Sequence, residues 1–245
     1  MASPMTRIKC LETINYTEKI YQWEDGYRFS VDALLISGFV NYEKKDVHAL
    51  DVGTGSGIIP LLLHKKYPHW TIDGVEIQKD LYLLTKENYE LNKIEGNLYF
   101  DDVNNLNKKD TYDLVIANPP FFKKEEGLLS PVEEIAIARH EVKNTMEALI
   151  KKAHFLLKSK GMFYAIYPSN RLGELCFQLE KYKMKPLAFK TIYPFIHKEG
   201  TMVMVAAKKG YRGGVACLSP FILYDNPSVY SKEAKILFER GEIKW

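Results

Sequence analysis

Val47-His-Ala-Leu-Asp51 runs straight into Val52-Gly-Thr-Gly-Ser-Gly57, so a short apolar strand empties into three glycines at alternate positions. Glycine accepts a positive φ and lets a ligand approach the backbone closely. Ile58 to Lys66 then reads as a helix with Leu61 and Leu62 inward. A helix N-terminus beyond such a loop can hold an anion. The dinucleotide fingerprint G-x-G-x-x-G would need glycine or alanine at position 58, where this chain has Ile58. That departure counts against a nicotinamide dinucleotide and leaves room for another nucleoside ligand.

Working outward, strands and helices alternate. Trp70–Ile77, Asn97–Phe100 and Tyr112–Ala117 read as strands, the last a continuous apolar run suited to a sheet buried on both faces. Asp80–Ile94 is a helix with Leu81, Leu84, Leu91 and Ile94 on one stripe. Met146, Leu149, Ile150, Ala153, Leu156 and Leu157 mark a second helix, ended by Lys160-Gly161, with the strand Met162–Tyr167 after it. Leu172, Leu175, Cys176, Leu179 and Tyr182 give another helix. Pro186–Tyr193 and Thr201–Ala207 are joined by too few residues for a helical crossover and must pair antiparallel. The expected fold is α/β, a doubly wound, mostly parallel seven-stranded sheet with a C-terminal antiparallel hairpin. Ligands of such sheets bind outside the carboxyl ends of the strands.

The 245 residues suit a single α/β domain. Three parts are expected: a polar, aromatic lead-in at 1–45 with a short helix at Val31–Val40, a catalytic core at 46–209, and a tail at 210–245 docking on it. In the tail, Ser219–Tyr224 reads as extended and Lys232–Arg240 as a short helix. No apolar run approaches the ~20 residues of a membrane span. Arg7, Lys9 and Glu12 interrupt any secretory segment, so a cytoplasmic protein with no membrane partner is expected. The net charge of +3 permits a nucleic-acid partner without arguing for one. Cys10, Cys176 and Cys217 are far apart, without metal-ligand spacing, and read as reduced structural thiols. No metal is expected, and a monomer is the default.

The strand ends carry the chemistry. Glu76, followed by Ile77, ends the second strand, where a carboxylate can accept both ribose hydroxyls. Asp101-Asp102 follows the third strand, and Asn118-Pro-Pro-Phe121 the fourth. Two prolines stiffen that turn and remove its backbone donors, leaving carbonyls. The Asn118 amide oxygen and the Pro119 carbonyl could together accept both hydrogens of a planar amine. Phe121 offers a face on which a flat base can stack.

Asp51-Val-Gly-Thr-Gly-Ser-Gly57, Glu76, Asp102 and Asn118-Pro-Pro-Phe121 resemble the class I S-adenosylmethionine-dependent methyltransferases of exocyclic amines. Asp25-Gly-Tyr-Arg-Phe-Ser-Val-Asp-Ala33 and Ala138-Arg-His-Glu141 narrow this to a resemblance to the bacterial tRNA1(Val) adenine-N6 methyltransferase family, covering Ile20 through Ala207. That family acts on the adenine 3′ of the anticodon. The resemblance implies S-adenosylmethionine as cofactor, leaving as S-adenosylhomocysteine, and a tRNA anticodon loop as partner. It implies that Gly53, Thr54, Gly55 and Gly57 receive the methionine part, with Asp51 near its amino group. Glu76 and Ile77 would hold the ribose side, and Asp102 with Val103 the adenine; Asp101 could replace Asp102. Asn118, Pro119, Pro120 and Phe121 would hold the target amine, with Asn118 also beside the cofactor. Arg28 and Phe29 would cover the cofactor from the N-terminal side.

Other amine acceptors remain open, a guanine-N2 of ribosomal RNA or a glutamine-N5 of a protein, as does a binding module without catalysis. Lys123, Lys124, Arg139, His140 and Lys143, with Lys208, Lys209 and Arg212 after the last strand, are the candidate contacts to an RNA backbone.

Overall fold

The computed structural model describes residues 8–14, 18–24, 28–119 and 146–245. It opens on an antiparallel hairpin, β1 (Lys9–Ile14) and β2 (Glu18–Trp23), in a stretch the sequence showed only as a polar lead-in. Ile14 and Ile20 are the hairpin's buried apolar residues, too few for a strong alternation. Helix α1 (Val31–Phe39) begins at Ser30, whose hydroxyl accepts from the Asp32 amide.

The core follows the expected alternation: β3 (His48–Val52), α2 (Ile58–Lys66), β4 (Thr71–Glu76), α3 (Lys79–Asn92), β5 (Leu98–Phe100) and β6 (Tyr112–Ala117). Every residue of β6 is buried, as a strand covered by helices on both faces should be. Helix α4 (Met146–Leu156) stops four residues before the expected Lys160-Gly161 end. Leu157 already pairs with Tyr112, so β7 (Leu157–Pro168) starts there, and Lys160, at φ 61°, sits in the irregularity that follows. Helix α5 (Leu172–Lys181), β8 (Met184–Tyr193) and β9 (Met202–Lys209) complete the core.

The strands lie in the order β5-β4-β3-β6-β7-β9-β8, all parallel except β9. This is the expected seven-stranded sheet, with one strand reversed between two that run forward. The tail widens it: β10 (Ala216–Cys217) and β11 (Phe221–Ile222) pair parallel with β8, and Phe221 is fully buried. A small antiparallel pair, β12 (Tyr224–Asn226) and β13 (Val229–Tyr230), leads to α6 (Lys232–Arg240), capped by Ser231. Trp245 stacks on Phe39 at 5.1 Å, closing the tail onto α1.

The order reverses between β3 and β6, one running to the left and the other to the right of the sheet. Their register sets Val52 opposite Ala117. Gly53 and Asn118 therefore leave the sheet side by side at its carboxyl edge, where a crevice opens in doubly wound folds.

Candidate active site

Three glycines turn the chain from β3 into α2 with positive φ: 72° at Gly53, 59° at Gly55 and 81° at Gly57. A Cβ on Gly57 would lie 3.1 Å from the Thr85 methyl, so the loop is also pressed against α3. The loop is held from three sides. Gly53 and Thr54 donate their amides to the Val75 carbonyl at 2.9 and 3.2 Å. The Thr85 hydroxyl donates to the Gly55 carbonyl. Asn88 donates to the Ser56 carbonyl at 2.8 Å.

Glu76 ends β4 buried, and each carboxylate oxygen accepts a backbone amide, Gly55 at 2.9 Å and Gln78 at 2.9 Å. Those bonds fix the plane of its carboxylate. Ile77 follows and is 48% exposed, an apolar surface at the edge of the same crevice. Beyond β5 the Asp101 carboxylate accepts from the Asp102 amide at 2.8 Å and from the Asn105 side chain at 2.7 Å. Asp102 accepts from the Asn104 amide at 2.9 Å and starts a 3-10 turn, Val103–Asn105, in which Val103 is buried. Asp101 is thus the more heavily committed of the two to holding its own turn.

Asp51 is fully buried, and neither carboxylate oxygen has a hydrogen-bond partner among the described residues. The Thr54 and Ser56 hydroxyls are buried and likewise make no well-formed hydrogen bond, although Thr54 lies close enough to Asp51 to act on its carboxyl. Burial pushes the Asp51 carboxyl up to about 7; the nearby Thr54 hydroxyl pulls down, and the Glu76 charge adds to the rise. Unpaired buried polar groups are rare because each costs free energy. This cluster is what a ligand bearing a cationic donor would satisfy. A ligand with an ammonium at one end and vicinal hydroxyls in its middle therefore fits the residues present.

Asn118 and Pro119 follow β6 directly, half-buried at the crevice. Pro120 and Phe121 lie outside the described residues, as do Asp25–Tyr27, Lys123, Lys124, Ala138–Glu141 and Lys143. Arg28 pairs with Glu12 of β1, and the Phe29 amide donates to the Gln22 side chain at 3.0 Å. Both are thus tethered to the hairpin. The hairpin is tethered in turn to the glycine loop, because Asn88 also accepts from the Tyr21 amide at 2.7 Å and donates to the Tyr21 carbonyl at 3.0 Å.

Thr85 and Asn88, which the sequence reading passed over, are both fully buried. Their signal was a polar pair, i and i+3, on a helix face that carries Leu81 and Leu84 inward. Leu91, assigned to that face, is instead 38% exposed.

Lys208, Lys209 and Arg212 correct an expectation. Because β9 runs backwards, its carboxyl end lies at the far edge of the sheet, with Lys208 opposite Met162 and Lys209 opposite Met184. Lys209 is occupied there by Asp110 at 2.8 Å and by the His154 and Leu157 carbonyls. These residues do not border the crevice.

The model of the methyltransferase small domain matches residues 31–175. The chain belongs to that family. It is 29% identical over 164 residues to a Porphyromonas gingivalis protein named tRNA1(Val) (adenine(37)-N6)-methyltransferase, covering 64% of this chain and 64% of that one. It spans just under two thirds of that relative's length. Among solved structures, a predicted O-methyltransferase from Agrobacterium tumefaciens superposes with a TM-score of 0.69 at 16% identity, covering 87% of this chain and 97% of that chain. M. jannaschii TYW2 in complex with AdoMet gives 0.57 at 16%, covering 83% and 86%. At that identity the two structures speak for the fold alone.

Proposed function

We propose that this methyltransferase moves a methyl group from S-adenosylmethionine to the exocyclic amine of an adenine in a tRNA, the base 3′ of the anticodon of a valine tRNA, in the cytoplasm. The observation that carries the reading is the register that sets Asn118-Pro119 beside the glycine loop, with an orphaned Asp51 beneath it. The name of the Porphyromonas relative supports the substrate. No described helix is long and apolar enough to cross a membrane.

When bound, S-adenosylmethionine supplies a sulfonium methyl that is already electrophilic. Asp51, ionised, holds the amino group of its methionine part, within the loop of Gly53, Thr54, Gly55 and Gly57. Glu76 accepts the ribose hydroxyls, Ile77 packs beside them, and Asp102 with Val103 borders the adenine. The Asn118 amide oxygen and the Pro119 carbonyl accept the two hydrogens of the target amine. That grip draws its lone pair out of the ring and stabilises the positive charge that grows on the nitrogen. Pro120 and Phe121, which lie outside the described residues, would complete the Asn118-Pro-Pro-Phe121 motif by its resemblance to the amine methyltransferases. Arg28 and Phe29 cover the cofactor from the hairpin. The remaining contribution is in-line alignment, worth up to ~7–11 kcal/mol in favourable intramolecular cases. The target base must leave its stack to enter, which costs least in a loop.

Labelled methyl transfer into total RNA from a strain lacking this gene, followed by nucleoside analysis, tests the reading. Methyl-adenosine in the tRNA fraction supports it. Label in ribosomal guanine, or in protein only, keeps the amine chemistry and overturns the substrate. Asn118→Ala should lower kcat by about 10²–10³-fold, the size seen when one transition-state contact is removed, while cofactor affinity stays within about threefold. A variant that keeps half its rate refutes the amine grip.

A further inference from the structure

The parallel strands end at the edge where Asn118 sits, and β8 is one of them. Its carboxyl end, Tyr193, opens into the segment 194–200 at that edge. The tail arrives at the same place. β11 runs parallel to β8 with Ile222 opposite Tyr193, and the next residues stay in step: Leu223 donates its amide to the Tyr193 carbonyl at 2.8 Å and Tyr224 to the Pro194 carbonyl at 2.9 Å. The chain then continues past the sheet and returns through the β12–β13 pair, where the Ser231 amide closes on the Leu223 carbonyl at 3.0 Å. Two segments far apart in sequence thus project together beyond the carboxyl edge.

What they project is a ladder of rings. His197 stacks on Phe195 at 5.7 Å, Phe195 meets Tyr224 at 5.6 Å, and Tyr224 stacks on Tyr230 at 5.0 Å with 18° between planes. Phe238 of α6 supports Tyr230 edge-on at 4.7 Å. The ladder is not covered: His197 is exposed, Tyr230 is 40% exposed, and the neighbouring Ile196 and Val229 are 70% and 45% exposed. Its charges nearly cancel, Lys198 against Glu199 and Asp225 against Lys232. Three inter-strand steps separate β8 from β6 and four separate β11 from it, roughly 14 and 19 Å at ~4.8 Å per step, so the ladder stands on the same edge as the amine site, within a few nucleotides' reach of it.

We infer that this ladder is a stacking platform for unpaired bases of the RNA loop that presents the target adenine. The inference rests on the RNA reading above and adds the surface that recognises it. Aromatic rings bind single-stranded bases through their π-faces without needing net charge. The chemistry also suits the geometry of extrusion: neighbours of a base that has left its stack need a replacement partner, and the platform offers one at the entrance. Lys208 and Lys209 supply no charged alternative here, since β9 carries them to the opposite edge.

The test uses the full chain and a synthetic stem-loop RNA containing an unpaired, adenine-bearing loop, read by fluorescence anisotropy with S-adenosylhomocysteine and by steady-state methyl transfer with S-adenosylmethionine. Tyr230→Leu should weaken RNA affinity and raise the RNA KM about tenfold, ~1.4 kcal/mol. Tyr230→Phe, which keeps the ring, should stay within about twofold. Kcat at saturating RNA, cofactor affinity and the slope of log affinity against log salt should not move, since no phosphate contact is lost. If Tyr230→Leu lowers the melting temperature, the exposed pair Ile196→Ser with His197→Ala decides in its place, with a loss of about threefold expected. Unchanged RNA affinity in folded variants overturns the platform and leaves the function standing. A parent chain that binds no stem-loop but methylates protein overturns the RNA reading and the platform with it.

Discussion

Seating the cofactor's ammonium on Asp51, as proposed, makes cofactor binding a proton-linked event. Its carboxyl is pushed up to about 7 by burial, so the free protein holds it mostly protonated below neutrality. An ammonium seated on it requires the carboxylate. With a pKa near 7, the group is about one tenth ionised at pH 6 and about three quarters ionised at pH 7.5. Affinity for S-adenosylhomocysteine, whose amino group stays charged across that window, should therefore be about eightfold weaker at pH 6, ~1.2 kcal/mol. Titration calorimetry in two buffers of different ionisation enthalpy should find close to one proton released per ligand at pH 6 and a fraction of one at pH 7.5. Folding carries the opposite sign. The native state keeps a proton that the unfolded chain loses near ~3.9, so stability of the free protein falls as pH rises from about 4 to 7 and levels off above it. The cost of holding this charge at pH 8 is at most about 4 kcal/mol. Asp51→Asn should consequently be no less stable than the parent at pH 8, lose the pH dependence, and bind ligand at least about tenfold more weakly. Affinity that is flat between pH 6 and 7.5, with no proton exchange, would refute the role given to Asp51.

Asn88→Ala removes three hydrogen bonds that join the hairpin to the glycine loop; it should cost about 2–3 kcal/mol by urea unfolding and speed amide exchange selectively in β2. Gly57→Ala places a Cβ at φ 81° against Thr85 and should cost at least about 1–2 kcal/mol, with a matching fall in melting temperature. Asp73 is buried and accepts from the Asn97 amide, Tyr99 and Tyr112 at 2.8, 3.1 and 2.8 Å, with His48 at 3.0 Å. Burial alone would raise its pKa, but the His48, Asn97 and Tyr112 contacts outweigh it and hold the carboxyl below its ordinary value. Asp73→Ala should cost about 3–5 kcal/mol at neutral pH, and the parent's advantage should shrink as pH falls below about 4.

The sheet was legible because its evidence is local. A buried parallel strand such as Tyr112–Ala117 is apolar at every position whatever surrounds it, and the span of β6 needed no correction. The hairpin was not legible, since Ile14 and Ile20 are its buried apolar residues and its remaining order comes from Asn88, which lies 67 residues from Tyr21. The tail's extended segment and helix were visible, but its addition to the sheet was not: β10 and β11 are two residues each, and pairing with β8 is what makes them strands.

The site divides along the same line. Residues at strand ends announce themselves, because a strand followed by Gly-Thr-Gly, Glu or Asn-Pro has few structural reasons to carry those groups there. Residues that hold the site from behind do not: Thr85 and Asn88 are ordinary helix positions until the glycine loop is set against them. Lys208 and Lys209 show a third situation, in which the information was present and its consequence was missed. Reading β8 and β9 as antiparallel already sends one of them away from the crevice, and the strand order, with β9 between β7 and β8, shows that it is β9. The same reversal returns β8 to the crevice edge. One antiparallel strand therefore decides which surface groups can meet a substrate there, removing two lysines and bringing forward Phe195, His197 and the rings of the tail.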